Sequence, residues 1–242
     1  MDFDSLAAEL RKSVDDFALN TTDYASLVPT HPPEVTGTAA VLVVLEKRTD
    51  DWYVLLNVRS ENLRRHPGEV CFPGGMMEPA DGTCIETAIR EAEEEIGLPR
   101  NNIRIITALK PYITRNLLQL YPVLALQTAP FEPVLNTDEV SEVFVAPLSR
   151  FLSAEGHSTW RVFETVEMHS FDLKAPTFGL TAFIAIVLAI CVYDRLPEYD
   201  MDVITDRSGS AKDASLRAVE ASTNFSQMIL DAKKRQQEQS RL

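Results

Sequence analysis

Four carboxylates, Glu91, Glu93, Glu94 and Glu95, fall within five positions of this 242-residue chain. Residues three and four apart share a face of an α-helix, so in helical conformation Glu91, Glu94 and Glu95 project together while Glu93 points away. Like charges at that spacing repel unless a cation lies among them. Carboxylate and water ligands suit a hard divalent ion, Mg²⁺ first and Mn²⁺ second. A solvated acidic face would account for the helix taken alone, so the reading depends on what surrounds it.

Two features upstream bear on it. Pro73-Gly74-Gly75 is a point where the backbone turns freely or lets a ligand approach closely. Before it runs a polar, basic stretch, residues 59–69, that carries Arg59, Arg64, Arg65 and His66. Guanidinium forks match phosphate oxygens, which makes Arg59, Arg64 and Arg65 candidates for an anion site, Arg64 foremost. The alternatives are that Arg59 pairs with one of the glutamates and that Arg65 and His66 are solvated. Phe72 reads as a core aromatic.

These groups need elements to hold them. Residues 84–96 are good helix formers, with Ile85, Ala88, Ile89, Ala92 and Ile96 on one face, and Gly97 is a plausible stop. Runs of β-branched and aromatic residues at 38–46 and 52–58, split by a polar turn, predict a hairpin. Further strands are expected at 103–109, 118–126 and 142–145, with shorter candidates at 160–163 and 166–171, and a buried helix at 178–193. An amphipathic helix leads the chain, and residues 211–242 suit a surface helix with a basic, Gln-rich end. The division this suggests is 1–35 as helix and linker, 36–200 as the domain, and 201–242 as a tail.

Composition narrows the function. Lys plus Arg number 23 against 36 Asp plus Glu, a net charge of −13 that repels nucleic acid and anionic membranes. An anionic substrate therefore needs a local cationic groove or a metal. The apolar run at 178–193 is shorter than the eighteen or so residues of a membrane span. Cys71, Cys84 and Cys191 lack metal-ligand spacing and read as free thiols in a reducing interior. The leading segment has neither the apolar core of a secretory signal nor the acid-poor composition of a transit peptide.

Taken together, Gly74-Gly75, a spacer and Arg90-Glu91-Ala92-Glu93-Glu94-Glu95-Ile96-Gly97-Leu98 resemble the Nudix box, G-x5-E-x7-R-E-U-x-E-E-x-G-U, where U is apolar. The stretch from Gly75 to Arg90 is one residue longer than the general pattern, which leaves the first glutamate of the box to be supplied by Glu78 or Asp81, either of which could meet the fork of Arg90. The segment from Leu55 to Gly75 resembles the signature of the coenzyme A pyrophosphatase subfamily, L-L-T-x-R-S-x3-R-x3-G-x3-F-P-G-G, and that subfamily has the longer spacer too. Arg59, Ser60, Arg64, Gly68, Phe72, Pro73, Gly74 and Gly75 stand at its positions, while Asn57 stands where Thr is common. Glu139-Val140 through Pro147-Leu148 and Phe178-Gly179-Leu180-Thr181-Ala182 resemble later subfamily segments.

The resemblance implies an α/β fold, an α/β/α sandwich around a central mixed β-sheet. It implies metal ligation by Glu91, Glu94 and Glu95, catalytic roles for Arg90, Glu94 and Glu95, and substrate contacts from Arg59, Arg64, Gly74 and Gly75. Glu139 is a further candidate for the general base. The implied reaction is Mg²⁺- or Mn²⁺-dependent hydrolysis of the diphosphate of coenzyme A or acyl-coenzyme A to 3′,5′-ADP and (acyl-)4′-phosphopantetheine. Another nucleoside diphosphate derivative such as ADP-ribose is the alternative within the family, and a catalytically silent nucleotide-binding module is the alternative outside enzymology. Ser240-Arg241-Leu242 resembles a peroxisomal import signal, which implies an import receptor as partner and the peroxisome as address.

Overall fold

The computed structural model describes residues 2–19, 35–114, 116–162 and 166–202, together with 204, 207, 210, 211, 213 and 214. In chain order the elements are α1 (Phe3–Ser13), β1 (Gly37–Lys47), β2 (Trp52–Arg59), β3 (Val70–Cys71), β4 (Gly74–Met76), α2 (Cys84–Ile96), β5 (Ile103–Ala108), β6 (Tyr112–Ile113), β7 (Leu118–Gln127), β8 (Val140–Pro147), β9 (His157–Val162), β10 (Val166–Asp172), β11 (Pro176–Phe178) and α3 (Gly179–Tyr193).

The apolar run of β1 is explained by its position. It is an interior strand, paired in parallel with β7 from Gly37↔Leu118 to Leu45↔Leu126 and antiparallel with β2 from Leu45↔Val54 to Lys47↔Trp52. The other main pairings of the eight-stranded sheet, β2 with β8 and β5 with β7, are antiparallel, so the sheet is mixed. Strands covered on both faces carry near-continuous apolar sequence rather than alternation, which is why Leu42, Val43, Val44 and Leu45 are all buried.

The two faces feed two cores. One contains Ala40, Leu42 and Val44 of β1 with Cys84, Ala88, Ala92 and Ile96 of α2. The other contains Val43 and Leu45 with Leu10 of α1 and Ile184, Leu188 and Ile190 of α3. The layers are therefore helix, sheet, helix. Ile96 is completely buried, and truncating such a side chain to alanine costs about 2–5 kcal/mol.

Beyond Leu45↔Val54 the hairpin opens. The edge of β2 is taken by β3 at Asn57↔Cys71 and Val58↔Val70, and the edge of β1 by β4 at Ala39↔Met76, Ala40↔Gly75 and Val41↔Gly74. The two short strands flank Phe72-Pro73, so the Pro-Gly-Gly turn lies between the splayed arms. This opening is what positions the site.

A separate three-stranded sheet, β11-β10-β9, was not expected from the sequence as a sheet of its own. Its strand β11 takes Phe178, which the apolar periodicity assigns to the last helix, and the helix starts one residue later at Gly179, whose φ of +68° suits a glycine. Most of the surface helix expected at 211–242, including Ser240, Arg241 and Leu242, lies outside the described residues. No helix among the described residues is long and apolar enough to cross a membrane.

Candidate active site

Helix α2 is bounded by its own sequence. Thr83 caps its start, accepting from Glu86 N at 3.2 Å, and Gly97 ends it in the left-handed conformation, with Gly97 N to Glu93 O at 3.0 Å and Leu98 N to Ala92 O at 3.2 Å. The remaining carbonyls at the C-terminus are not left to solvent. Asn136 N donates to Glu95 O at 2.9 Å and Val134 N to Ile96 O at 3.0 Å, which hangs the segment before β8 on the end of the helix. Ser60 N then donates to Glu139 O at 2.8 Å and ties that segment to the end of β2.

The outcome is a carboxylate cluster drawn from two elements. Oxygens of Glu91, Glu95 and Glu139 all lie within 4.8 Å of one another. Glu94 stands outside this grouping: its side chain is 56% exposed and its Oε2 accepts from Arg90 Nη1 at 2.9 Å. Successive helix residues turn by about 100°, so Glu94 lies on one side of Glu91 and Glu95 on the other. The segment before β8 that supplies Glu139 meets the Glu95 side.

Arg90 organises the edge of the cluster. Its Nε donates to Asp81 Oδ1 at 2.8 Å and its Nη2 to Asp81 Oδ2 at 3.1 Å, a fork-to-fork pair. Nη2 also donates to Met76 O at 3.0 Å and to Glu91 Oε1 at 2.9 Å. Of the two acids that could have met this arginine, Asp81 does so, and its Oδ2 further accepts from Glu78 N at 2.8 Å and Thr87 Oγ1 at 2.9 Å. The hydrogen bonds from Arg90 hold the Asp81 carboxyl below the usual carboxylate range.

Glu95 is only 3% exposed. Its Oε2 accepts from Asn57 Nδ2 at 3.0 Å and from Gly74 N at 3.1 Å, so the carboxylate plugs the opening between β2 and β4. Burial pushes its pKa up to about 8, against the pull of the Gly74 hydrogen bond, and the neighbouring Glu91 adds to the rise. Burial raises the Glu91 carboxyl as well, while Arg90 opposes it. Carboxylates held this close together, one of them buried, are a stored repulsion that a divalent cation relieves.

The glycines have separate reasons. Gly74 has φ +157°, and a Cβ there would meet Ala40 O at 2.3 Å, so this residue is required by β1. A Cβ on Gly75 would lie 2.5 Å from the Glu91 carboxyl group, so Gly75 is required by the cluster. Arg59 is half-buried and lies near enough to Glu95 to pull its pKa downward, whereas Arg64 and Arg65 are exposed on the loop and His66 pairs with Glu69 at 2.9 Å.

Asn57 was not singled out by the sequence as part of the site. Its signal was available: it is the one polar residue within Trp52-Tyr53-Val54-Leu55-Leu56-Asn57-Val58 apart from the Tyr53 hydroxyl, and a buried polar group in a core strand needs a partner.

A family model described as NUDIX domain matches residues 36–165. The peroxisomal coenzyme A diphosphatase ndx-8 of Caenorhabditis elegans is 42% identical over 168 residues, covering 67% of this chain and 72% of that protein. The peroxisomal coenzyme A diphosphatase NUDT7 of Mus musculus is 35% identical over 173 residues, covering 67% and 73%. The mitochondrial Nudix hydrolase 15 of Arabidopsis thaliana is 39% identical over 173 residues, covering 66% and 60%. Among solved structures, a NUDIX hydrolase from Alicyclobacillus acidocaldarius aligns at 18% identity with a TM-score of 0.46, over 68% of this chain and 98% of that one.

Proposed function

The chain belongs to the NUDIX domain family, and from that premise we propose that it hydrolyses the diphosphate bond of coenzyme A and its acyl esters to 3′,5′-ADP and (acyl-)4′-phosphopantetheine. Two relatives that share over a third of their aligned residues with it carry the name of that activity. The observation that carries the reading in this chain is the meeting of two sequence features at one atom. Glu95, from the acidic helix, receives its hydrogen bonds from Asn57 and Gly74, both within the segment that resembles the coenzyme A signature.

NUDIX hydrolases need a divalent cation, and we assign Mg²⁺ or Mn²⁺ to Glu91, Glu95 and Glu139, with Glu94 near enough in sequence to join them on leaving Arg90. The donor set is all carboxylate oxygen, which suits these ions, and the bare Cα of Gly75 supports the fit because any side chain there would fill the space beside Glu91. Bound at such a site, the cation supplies charge neutralisation on phosphoryl oxygens and lowers the pKa of water.

The residues of the chain do the rest. Arg90, locked by Asp81, pairs with both Glu91 and Glu94 and so offsets their mutual repulsion. Arg59 and Arg64 hold the phosphates by forked hydrogen bonds, and the Gly74-Gly75 turn lets the backbone approach the diphosphate closely. Glu139 or one of the helix glutamates takes a proton from the attacking water as the new P–O bond forms and the bridging P–O bond breaks. The water thus supplies OH to one half and H to the other. The thiol end of the substrate takes no part, so free and acylated coenzyme A react alike at the diphosphate.

We extend the peroxisomal address of the two diphosphatase relatives to this chain, with Ser240, Arg241 and Leu242 as the residues an import receptor would read. The plant relative named as mitochondrial makes the address worth testing by fluorescence microscopy with Leu242 removed.

The enzymatic test is incubation of the purified protein with Mg²⁺ or Mn²⁺ and either coenzyme A, acyl-coenzyme A or ADP-ribose, with mass analysis of products. Release of 3′,5′-ADP and phosphopantetheine is expected. Products from ADP-ribose alone, or from nothing, would overturn the reading.

A further inference from the structure

Asn57 and Arg59 lie two positions apart on β2, across a register irregularity between Val58 and Arg59, and both act on Glu95. Asn57 is fully buried. Its Nδ2 and the Gly74 N–H both donate to Oε2 of Glu95, which leaves Oε1 as the oxygen free to face a cation. Each metal-holding carboxylate has two oxygens, and fixing one of them determines where the other points.

The other half of the same amide is also informative. Asn57 Oδ1 and Arg59 Nε are the buried side-chain polar atoms without a hydrogen-bond partner among the described residues. One is an acceptor and the other a donor, two positions apart on β2. Leaving either unpaired costs about 1–3 kcal/mol, so each is an incentive for the two to be joined. Arg59 is also close to Cys71, which pairs with Asn57 across β2 and β3.

We propose that Asn57 is a positioning residue that ties the Glu95 carboxylate to the Arg59 guanidinium, setting the cation-holding and phosphate-holding sides of the site together. The inference rests on the metal-dependent diphosphatase reading of this site. It also gives a meaning to the departure from the signature, in which Thr is common at this position. A Thr hydroxyl is shorter and offers its donor and acceptor on one atom, whereas the amide carries them on two, far enough apart to serve Glu95 and Arg59 at once.

The test compares wild type with Asn57→Leu and Asn57→Thr. Mn²⁺ affinity is titrated without substrate, melting temperature is read in chelator, and kcat and KM for coenzyme A are measured in saturating metal. Asn57→Leu, which keeps the branched shape and heavy-atom count and deletes both polar groups, is expected to weaken Mn²⁺ binding roughly tenfold or more. Asn57→Thr is expected to hold Mn²⁺ within about threefold of wild type, by restoring a donor to Glu95, while KM rises roughly tenfold because Arg59 is released. Should Asn57→Leu fail to fold, the Thr variant decides alone. Unchanged Mn²⁺ affinity in the Leu variant, or unchanged KM in the Thr variant, overturns the proposal even if melting temperatures fall, since a purely structural residue would give that result. The Mn²⁺ titration needs no turnover, so an error in substrate identity leaves the metal half of the test standing.

Discussion

Asp81 grips Arg90 with both oxygens, at 2.8 and 3.1 Å, from a loop nine residues upstream on the chain. The pair fills the role that strict box spacing leaves without a residue, and it does so because the longer spacer ends in the turn 79–81 that delivers Asp81 to the start of α2. Asp81→Asn removes the charge and keeps the shape. We expect a stability loss of about 1–3 kcal/mol by urea unfolding, because Arg90 is then partly buried with a weaker partner. Turnover should fall at least tenfold as Arg90 shifts toward Glu91. Stability and turnover both unchanged would show that the pair does not organise the cluster.

The two neighbouring glycines separate fold from function. Gly74→Ala drives a methyl into the backbone of β1 at a left-handed φ, so soluble folded protein is expected to drop sharply. Gly75→Ala meets the Glu91 carboxylate instead, and a side chain can turn aside. This variant should fold, with a circular dichroism spectrum like wild type, and lose Mn²⁺ affinity by an order of magnitude or more. Normal metal binding in Gly75→Ala would argue that Glu91 does not ligate.

How far the sequence carried the reading depended on the range of the interactions. Helix α2 was legible to the residue, because its apolar face and Gly97 stop are local, while the Thr83 cap, equally local, was added by the structure. The β1–β2 hairpin was legible for the same reason. The parallel register of β1 on β7 was not, since nothing within either strand encodes a partner about eighty residues away. The carboxylate cluster shows the same divide. Helical periodicity grouped Glu91, Glu94 and Glu95, but which side of Glu91 carries the site is decided by where β8 delivers Glu139, a tertiary matter fixed by the Asn136 and Val134 hydrogen bonds to the end of α2. Asn57 escaped notice because its role exists only across the open hairpin.

That geometry ranks the glutamates. Glu91→Gln, Glu95→Gln and Glu139→Gln should each lower kcat roughly a hundredfold or more, since each removes a charge from one cluster without changing volume. Glu93 faces elsewhere, with its Oε1 accepting from Arg100 N at 3.2 Å. Glu93→Gln should leave kcat within about twofold of wild type by the same assay, a surface change of small effect. Full activity in Glu139→Gln would move the site back onto the helix alone.

A second cluster, remote in sequence from the glutamates, predicts how the protein responds to acid. His157 Nε2 lies 2.9 Å from His169 Nδ1, His157 stacks on Tyr199 at 3.6 Å between ring centroids, and Glu167 and Asp202 are the nearby acids. Burial, with His157 adding to it, depresses the His169 pKa to about 4. An imidazole that stays neutral in the fold but takes a proton at about 6.5 when unfolded makes the unfolded state bind more protons between those values, so stability is lost as pH falls from 6.5 to 4. Glu95 in metal-free protein acts in the opposite sense, because its raised pKa makes the folded state bind the extra proton between about 4.5 and 8. The two slopes partly cancel where the windows overlap, and a single wild-type curve would hide them. The informative quantity is the difference between wild type and His169→Gln, in chelator, by urea unfolding at successive pH values. That difference should shift against wild type by on the order of a few kcal/mol from pH 6.5 down to 4 and stay flat above 7. A difference independent of pH would mean that His169 takes its proton in the fold at the same pH as in the unfolded chain.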